Sequence, residues 1–137
     1  MISYMVMAKI FPHNEEVRIE AGDALVFDTV TAMDGTAISY SDQTGVITFN
    51  DEGFYYIDWF VATQTGLALN GSNWAIVTTI SDLEFIGSSH TKISPTSGFA
   101  LINAAVGETV KLENISDEAL VLSGAVKSKA GLSVYSL

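Results

Sequence analysis

Apolar and polar residues alternate along most of the chain in short runs, with the two-residue period of β-strands. Turn-forming sequences such as Asp34-Gly35 and Asn50-Asp51-Glu52-Gly53 separate these runs. The pattern predicts strands at Tyr4–Phe11, Ala24–Thr29, Thr36–Tyr40, Val46–Phe49, Phe54–Ala62, Asn73–Thr79, Leu83–Ile86, Phe99–Ala105, Thr109–Asn114, Leu120–Val126 and Leu132–Leu137.

Helical periodicity is weak throughout. The brief capping-box spacing at Ser81-Asp82-Leu83-Glu84 is cut short by Phe85-Ile86-Gly87. The polar stretch 87–98 predicts a surface loop. Many short strands at this spacing favour an all-β antiparallel sandwich or barrel, and 137 residues suffice for one domain over 1–137 with its own core.

The predicted strand Phe54–Ala62 is apolar on both faces. Side chains on one face are Tyr55, Ile57, Trp59 and Val61, and those on the other are Phe54, Tyr56, Asp58 and Phe60. A strand in a small antiparallel sheet usually keeps one polar, solvated face. A second partner is therefore expected on the Phe54 face, either another copy of the chain or a loop folded across it.

Charge and composition limit the classes of molecule that the chain is expected to bind. Six basic residues against sixteen acidic ones give a formal charge of -10, and the basic residues do not cluster, so nucleic acid and anionic membrane surfaces are expected to be poor partners. No apolar run reaches the roughly eighteen residues of a membrane span, and the N-terminal stretch lacks the basic start of a signal segment. The chain has no cysteine, which excludes disulfides and thiolate metal sites.

Catalytic patterns are scarce. His13 and His90 are the available imidazoles, and each is interpreted as a surface residue. No nucleophile elbow, zinc-binding H-E-x-x-H or phosphate-binding loop occurs. The oxygen-rich turn at Asn50-Asp51-Glu52 is better explained by solvation than by calcium. We expect no metal, no cofactor and no enzymatic activity, although a hydrolase using paired carboxylates remains a minor alternative.

Three segments carry a family resemblance. The sequence Gly53-x-Tyr55-x-Ile57-x-Trp59 resembles the G-x-Y-x-F-x-aromatic signature of the complement C1q and tumour necrosis factor (TNF) jelly-roll superfamily. Gly107-Glu108-Thr109-Val110 is similar to the G-D-x-V strand start of that family, and Ala130 to Leu137 to its closing strand. In its cysteine-free composition and its closing strand, the chain most resembles the C-terminal heads of bacterial collagen-like surface proteins, including those of the spore exosporium.

The resemblance implies a ten-strand antiparallel jelly-roll sandwich, a homotrimer, and a non-enzymatic role in assembly and adhesion at a cell or spore surface, outside the cell. It implies a core signature and a trimer interface. The core signature is Gly53, Tyr55, Ile57, Trp59 and Gly107. The interface is Phe54, Tyr56, Asp58, Phe60 and Tyr135, the last on a strand expected beside the signature strand.

Two residues have competing interpretations. Asp58 is either one of three like charges meeting on a threefold axis, or a carboxylate at the rim or hydrogen-bonded to a neighbour. Trp74, beside Asn70-Gly71-Ser72, is either a core residue or a candidate ligand platform. The platform would favour the alternative function, a receptor-binding or carbohydrate-binding module from a phage or bacterial surface with the same fold.

Overall fold

The computed structural model describes residues 2–64, 71–91 and 95–137, which form β-strands, turns and short loops. Among these described residues there is accordingly no helix long and apolar enough to cross a membrane. Their strands are β1 (Tyr4–Lys9), β2 (Val17–Ile19), β3 (Thr29–Asp34), β4 (Ile38–Tyr40), β5 (Ile47–Phe49), β6 (Gly53–Val61), β7 (Ser72–Thr78), β8 (Glu84–Ser89), β9 (Thr96–Ala104), β10 (Thr109–Asn114), β11 (Leu120–Leu122) and β12 (Ala130–Ser136).

The strands form two five-stranded antiparallel sheets and one short pair. The front sheet has the order β3-β1-β12-β6-β9, the back sheet has the order β4-β5-β10-β7-β8, and β11 pairs with β2. Most neighbours in each sheet are distant in sequence, so the chain crosses repeatedly between the sheets. This antiparallel, crossing arrangement is a jelly roll.

The core lies between the inner faces of the two sheets. In β6, Tyr55, Ile57 and Trp59 are buried and alternate with more accessible neighbours, as the sequence period predicts. Tyr55 stacks on Phe49 of the back sheet with ring centroids 4.0 Å apart, and its hydroxyl donates a hydrogen bond to the carbonyl of Asp51. The signature strand therefore joins the two sheets through its inner face.

Trp59 closes the gap between the edge strands β8 and β9. Gly87 on β8 and Gly98 on β9 both face its indole ring, and a Cβ atom at Gly98 would lie 2.6 Å from Cζ2 of Trp59. Neither glycine has a positive φ, so their role is to admit the ring. The edges of the two sheets can approach closely because these positions have no side chain.

Glu108 is buried at the end of the back sheet and holds a turn by its carboxylate. Its Oε1 accepts hydrogen bonds from the backbone N–H groups of Thr79 (3.1 Å), Ile80 (2.8 Å) and Thr109 (2.9 Å), and its Oε2 accepts one from Ser81 (3.0 Å). Burial acts to raise the pKa of Glu108, but these hydrogen bonds together outweigh it and lower the pKa below its ordinary value of 4.5. The carboxylate therefore stabilises the β7–β8 turn in its ionised form.

Several sequence predictions of strands need correction. The described residues form twelve strands, against the ten expected; β2 and β3 lie where the pattern predicted no strand, apart from Thr29, and the predicted strand Leu120–Val126 ends at Leu122 as β11. The predicted strand Ala24–Thr29 is not one: Leu25 and Phe27 are buried, but before β3 begins at Thr29 the segment has a single bridge, from Ala24 to Glu113. The side chains alternate between buried and accessible, but the backbone makes only scattered hydrogen bonds to its neighbours, such as that from the N–H of Leu25 to the carbonyl of Leu112.

The predicted loop 87–98 is also wrong at both ends. Strand β8 continues to Ser89 and β9 already begins at Thr96. Small polar residues continue these strands because two edges meet there and Trp59 fills the space from inside. Ser and Gly therefore marked a close approach of strands where the composition favoured a loop.

Substituting Gly98 with Ala tests the contact with Trp59. The added methyl group would overlap the buried ring, so we expect the free energy of unfolding to fall by about 1–3 kcal/mol. Equilibrium urea denaturation followed by tryptophan fluorescence measures the change. Ser97→Ala at the exposed neighbouring position is the control; equal stability of Gly98→Ala and wild type would contradict the packing role.

Substituting Glu108 with Gln tests the carboxylate at the β7–β8 turn. Loss of charged hydrogen bonds to the backbone should lower the free energy of unfolding at neutral pH by about 1.5–3 kcal/mol. Because the folded pKa is lowered, the contribution is complete above about pH 4.5 and is lost as the pH falls through the folded value. The difference between variant and wild type should therefore shrink in acid.

Urea denaturation at about pH 7 and about pH 3 measures both effects. Glu84→Gln, at an exposed glutamate of β8, is the matched control and should leave stability unchanged. A Glu108→Gln deficit that is the same at both pH values would contradict the role of the ionised carboxylate.

Candidate assembly face

The outer face of the front sheet, which we call the front face, carries mostly apolar side chains. Its members come from four neighbouring strands and alternate with the buried core residues. They are Tyr4, Val6 and Ala8 of β1, Phe54, Tyr56, Asp58 and Phe60 of β6, Ser97, Phe99, Leu101 and Asn103 of β9, and Gly131, Ser133 and Tyr135 of β12.

Strand register places the aromatic residues of the front face side by side. Tyr135 lies between Tyr4 and Tyr56 in the ladder, and Leu101 follows on the other side of Tyr56. The ring centroid of Tyr56 lies 5.5 Å from that of Tyr135 and 6.4 Å from that of Phe99. The centre of the face is thus a group of touching aromatic rings.

The front face is open to solvent in the single chain. Phe99 is 68% exposed, Leu101 52% and Phe60 37%, and Phe54 and Tyr4 are exposed as well. Single exposed apolar residues are ordinary, whereas a contiguous apolar patch marks a surface that binds a partner. No described loop folds across this face, which was the alternative to a second copy of the chain.

Asp58 is the charged residue in the middle strands of this face. It lies one strand in from the β9 edge, opposite Ser133 on one side and Phe99 on the other. Within the described residues its side chain has neither a hydrogen bond nor an ion pair, which disagrees with the interpretation of a hydrogen-bonded carboxylate; a place at the rim or on the axis of an interface stays a prediction. The carboxylate is solvated only because the face is uncovered.

The surface of the front face has two depressions, one in its middle and one along its edge. One, of about 290 Å³, lies where Gly131 and Ser133 leave space between Val6 and Asp58. Its floor is shaped by Phe60, because a Cβ atom at Gly131 would lie 2.5 Å from Cε1 of that ring. The other, a groove of about 670 Å³, runs along the β8 and β9 edges beside Phe85 and Phe99. Apolar surface therefore continues from the face around the β9 edge.

The five residues predicted for the interface all lie on the front face. Phe54, Asp58 and Phe60 are exposed, and Tyr56 and Tyr135 are half-buried by each other. The expected position of the last strand beside the signature strand agrees with the pairing of β12 with β6. Their contact with another subunit stays a prediction.

The predicted core signature needs one correction. Tyr55, Ile57 and Trp59 are buried, and Gly53 begins β6 with a φ of 147°. Gly107 is exposed in the β9–β10 turn with a φ of 84°, a conformation that favours glycine. The buried member of that motif is the following residue, Glu108.

Trp74 does not provide the candidate ligand platform. Its side chain is 0% exposed, and its Nε1–H donates a hydrogen bond of 2.9 Å to Oγ of Ser72. The alternation in β7 turns it into the core, which was the competing interpretation. The residue named for a carbohydrate-binding surface is thus unavailable to a ligand.

The described residues contain no candidate metal centre, and neither depression of the front face brings two carboxylates together. No group of three or more His, Asp and Glu residues that could hold a metal occurs among them. His13 is exposed and packs edge-on against Phe11 at 4.6 Å, and His90 is exposed elsewhere. Of the two depressions, one contains Asp58 as its single carboxylate and the other contains none.

Sequence reasoning missed the part of the face that β9 supplies. Phe99 and Leu101 point outward, while Ala100 and Ile102 point into the core. The signal was present, since this strand is also apolar on both faces. Alternation along β9 alone does not tell that this strand pairs with β6, because that pairing is a contact between residues far apart in sequence.

Comparison with solved structures places this geometry in a known fold. The globular domain of zebrafish complement 1qA matches with a TM-score of 0.68 at 13% identity, covering 98% of this chain and 95% of that one. Murine APRIL matches with a TM-score of 0.72 at 10% identity over 100% of both chains. Eiger TNF from S. frugiperda matches with a TM-score of 0.62 at 12% identity, over 100% and 92%.

The protein therefore has the C1q/TNF-like jelly-roll fold, which confirms the fold expected from the three sequence segments. No protein-family model matches the sequence, and no curated protein sequence matches it either. At these identities the likeness concerns the fold, so function has to be argued from the front face.

Proposed function

We propose that this chain is a non-enzymatic head domain, formed by residues 1–137, that assembles into a homotrimer through its front face. The observation that carries the proposal is the exposed aromatic and aliphatic surface across β1, β12, β6 and β9. Covering a large apolar side chain contributes roughly 1.5–3 kcal/mol, and several such side chains are available in each subunit to offset the cost of association.

The shape of the apolar surface favours a ring over a twofold dimer. The groove beside Phe85 and Phe99 continues the front face around the β9 edge, so one copy can present its edge to the face of the next. Such head-to-tail contacts close into a ring when the rotation from one copy to the next divides a full turn evenly.

The proposal extends to where and how the head works. We place it outside the cell, at a bacterial cell or spore surface, as the end of a collagen-like protein whose trimeric stalk it holds together. Support for this part comes from the cysteine-free composition and the resemblance to heads of bacterial collagen-like proteins. The charge of -10 suits an adhesive contact with a surface receptor or glycan better than one with nucleic acid or a membrane.

Leu101→Asp tests the assembly face. A charge in the middle of the covered apolar surface should convert the trimer to monomer at micromolar concentration, an increase of at least about a hundredfold in the dissociation constant. Sedimentation velocity gives the oligomeric state, and circular dichroism and thermal unfolding check that the variant is folded.

Leu83→Asp is the matched control, since Leu83 is 49% exposed and Leu101 52%, but Leu83 lies in the turn before β8. It should leave the trimer intact. A wild-type chain that stays monomeric, or a Leu101→Asp variant that still forms the trimer, would contradict the proposed interface.

The stalk has a separate test in the gene. Genomic sequence upstream of Met1 that encodes Gly-X-Y repeats would support the collagen-like part of the proposal. Upstream sequence of another kind would contradict that part and leave the trimer unaffected.

A further inference from the structure

We propose that Asp58 makes assembly through the front face sensitive to acid: subunits associate more tightly when this carboxylate is protonated. The inference rests on the proposed function, because it concerns the regulation of the same face. It uses the position of Asp58 among Tyr56, Phe60 and Phe99, where a covering subunit would remove its water.

When another subunit covers the front face, the ionised carboxylate of Asp58 loses its hydration, which costs free energy. In the isolated chain the carboxylate keeps this hydration. In the single chain Asp58 is exposed and solvated, and none of the described residues supplies it with a hydrogen bond or ion pair. Its nearest neighbours across the ladder are the hydroxyl of Ser133 and the ring of Phe99. An unpaired charge in such surroundings favours its neutral form.

Few basic groups are free to neutralise Asp58 in a homo-oligomer. Lys9 is paired with Asp28 at 2.9 Å, Arg18 with Glu20 at 2.7 Å and Lys111 with Glu113 at 3.2 Å. Lys129 is fully buried, with its Nζ directed to the carbonyl of Val126. Among the described residues this leaves Lys127, which is exposed in the loop before β12; Lys92 lies outside them.

The other titratable groups of the front sheet do not supply a positive charge. Tyr56 is on the same strand, Tyr135 on β12 and Tyr4 on β1, and a phenol has no cationic form. Asp34 of β3 lies opposite Tyr4 at the far edge and adds negative charge, and the outward residues of β9 are not titratable. The field at Asp58 thus opposes its ionisation once water is excluded.

The direction of the pH effect follows from proton linkage. If the covered state holds Asp58 in its neutral form and the free subunit holds it ionised, assembly takes up protons. Association then strengthens as the pH falls and weakens as it rises. The single chain itself should show no corresponding change in fold.

Sedimentation velocity of the full chain at about pH 5 and about pH 7.5, over a range of protein concentrations, tests the inference. We expect the wild-type dissociation constant to fall by at least about tenfold at the lower pH. Asp58→Asn should assemble tightly at both values. Asp117→Asn is the matched control, because it removes the same charge from an exposed turn outside the front face and should retain the wild-type response.

The control separates a local effect from relief of the overall charge of -10, which acid would produce on any acidic protein. Equal pH responses of wild type and Asp58→Asn would overturn the inference while leaving the trimer standing. Weaker assembly of Asp58→Asn would also overturn it, since Asp58 would then be paired with a cation such as Lys127 of the next subunit. A chain that is monomeric in every form would refute the proposed function itself.

Discussion

Strand β6 imposes the constraint on which the rest of the structure depends. It is hydrogen-bonded to β12 and β9 along both edges, and it is apolar on both faces. The back sheet and the packed core can cover only the inner face, through Tyr55, Ile57 and Trp59. A two-layer fold therefore leaves the outer face of this strand uncovered, and the neighbouring strands extend that apolar surface across the sheet.

The inner face of β6 also organises the closure of the sandwich. Trp59 fills the space where β8 and β9 meet, and this is possible because Gly87 and Gly98 bring two backbones against its ring. At the other end of the strand, Tyr55 stacks on Phe49, and its hydroxyl donates a hydrogen bond to the carbonyl of Asp51 in the turn before β6. Glu108 holds the β7–β8 turn near the same end by four backbone hydrogen bonds. These contacts on the inner side hold β6 in its place between β12 and β9, and with it the side chains of the front face.

The front face combines apolar surface, which favours contact with a partner, with the charge of Asp58, which opposes the removal of water. Its aromatic rings provide apolar area, whereas Asp58 is the feature that water has to stabilise while the face is open. Natural surfaces that associate often contain such a group, because it limits association of copies in wrong registers and keeps the free subunit soluble. The same jelly-roll fold occurs in domains as distant as complement 1qA and APRIL, so it is this surface, and not the fold, that bears on what the protein does.

The sequence by itself determined the all-β class, nearly all of the longer strands and the two-faced character of β6, because side-chain alternation is a local property that needs no knowledge of the partner strand. It also identified five residues that share one surface. Only the tertiary structure decided that Leu25 and Phe27 are buried without belonging to a strand, and that Trp74 faces the core. Likewise it was the pairing of β9 with β6 that added Phe99 and Leu101 to the front face. The physical reason is that sheet order and the approach of β8 to β9 arise from contacts between residues far apart in sequence, which alternation along one strand cannot encode.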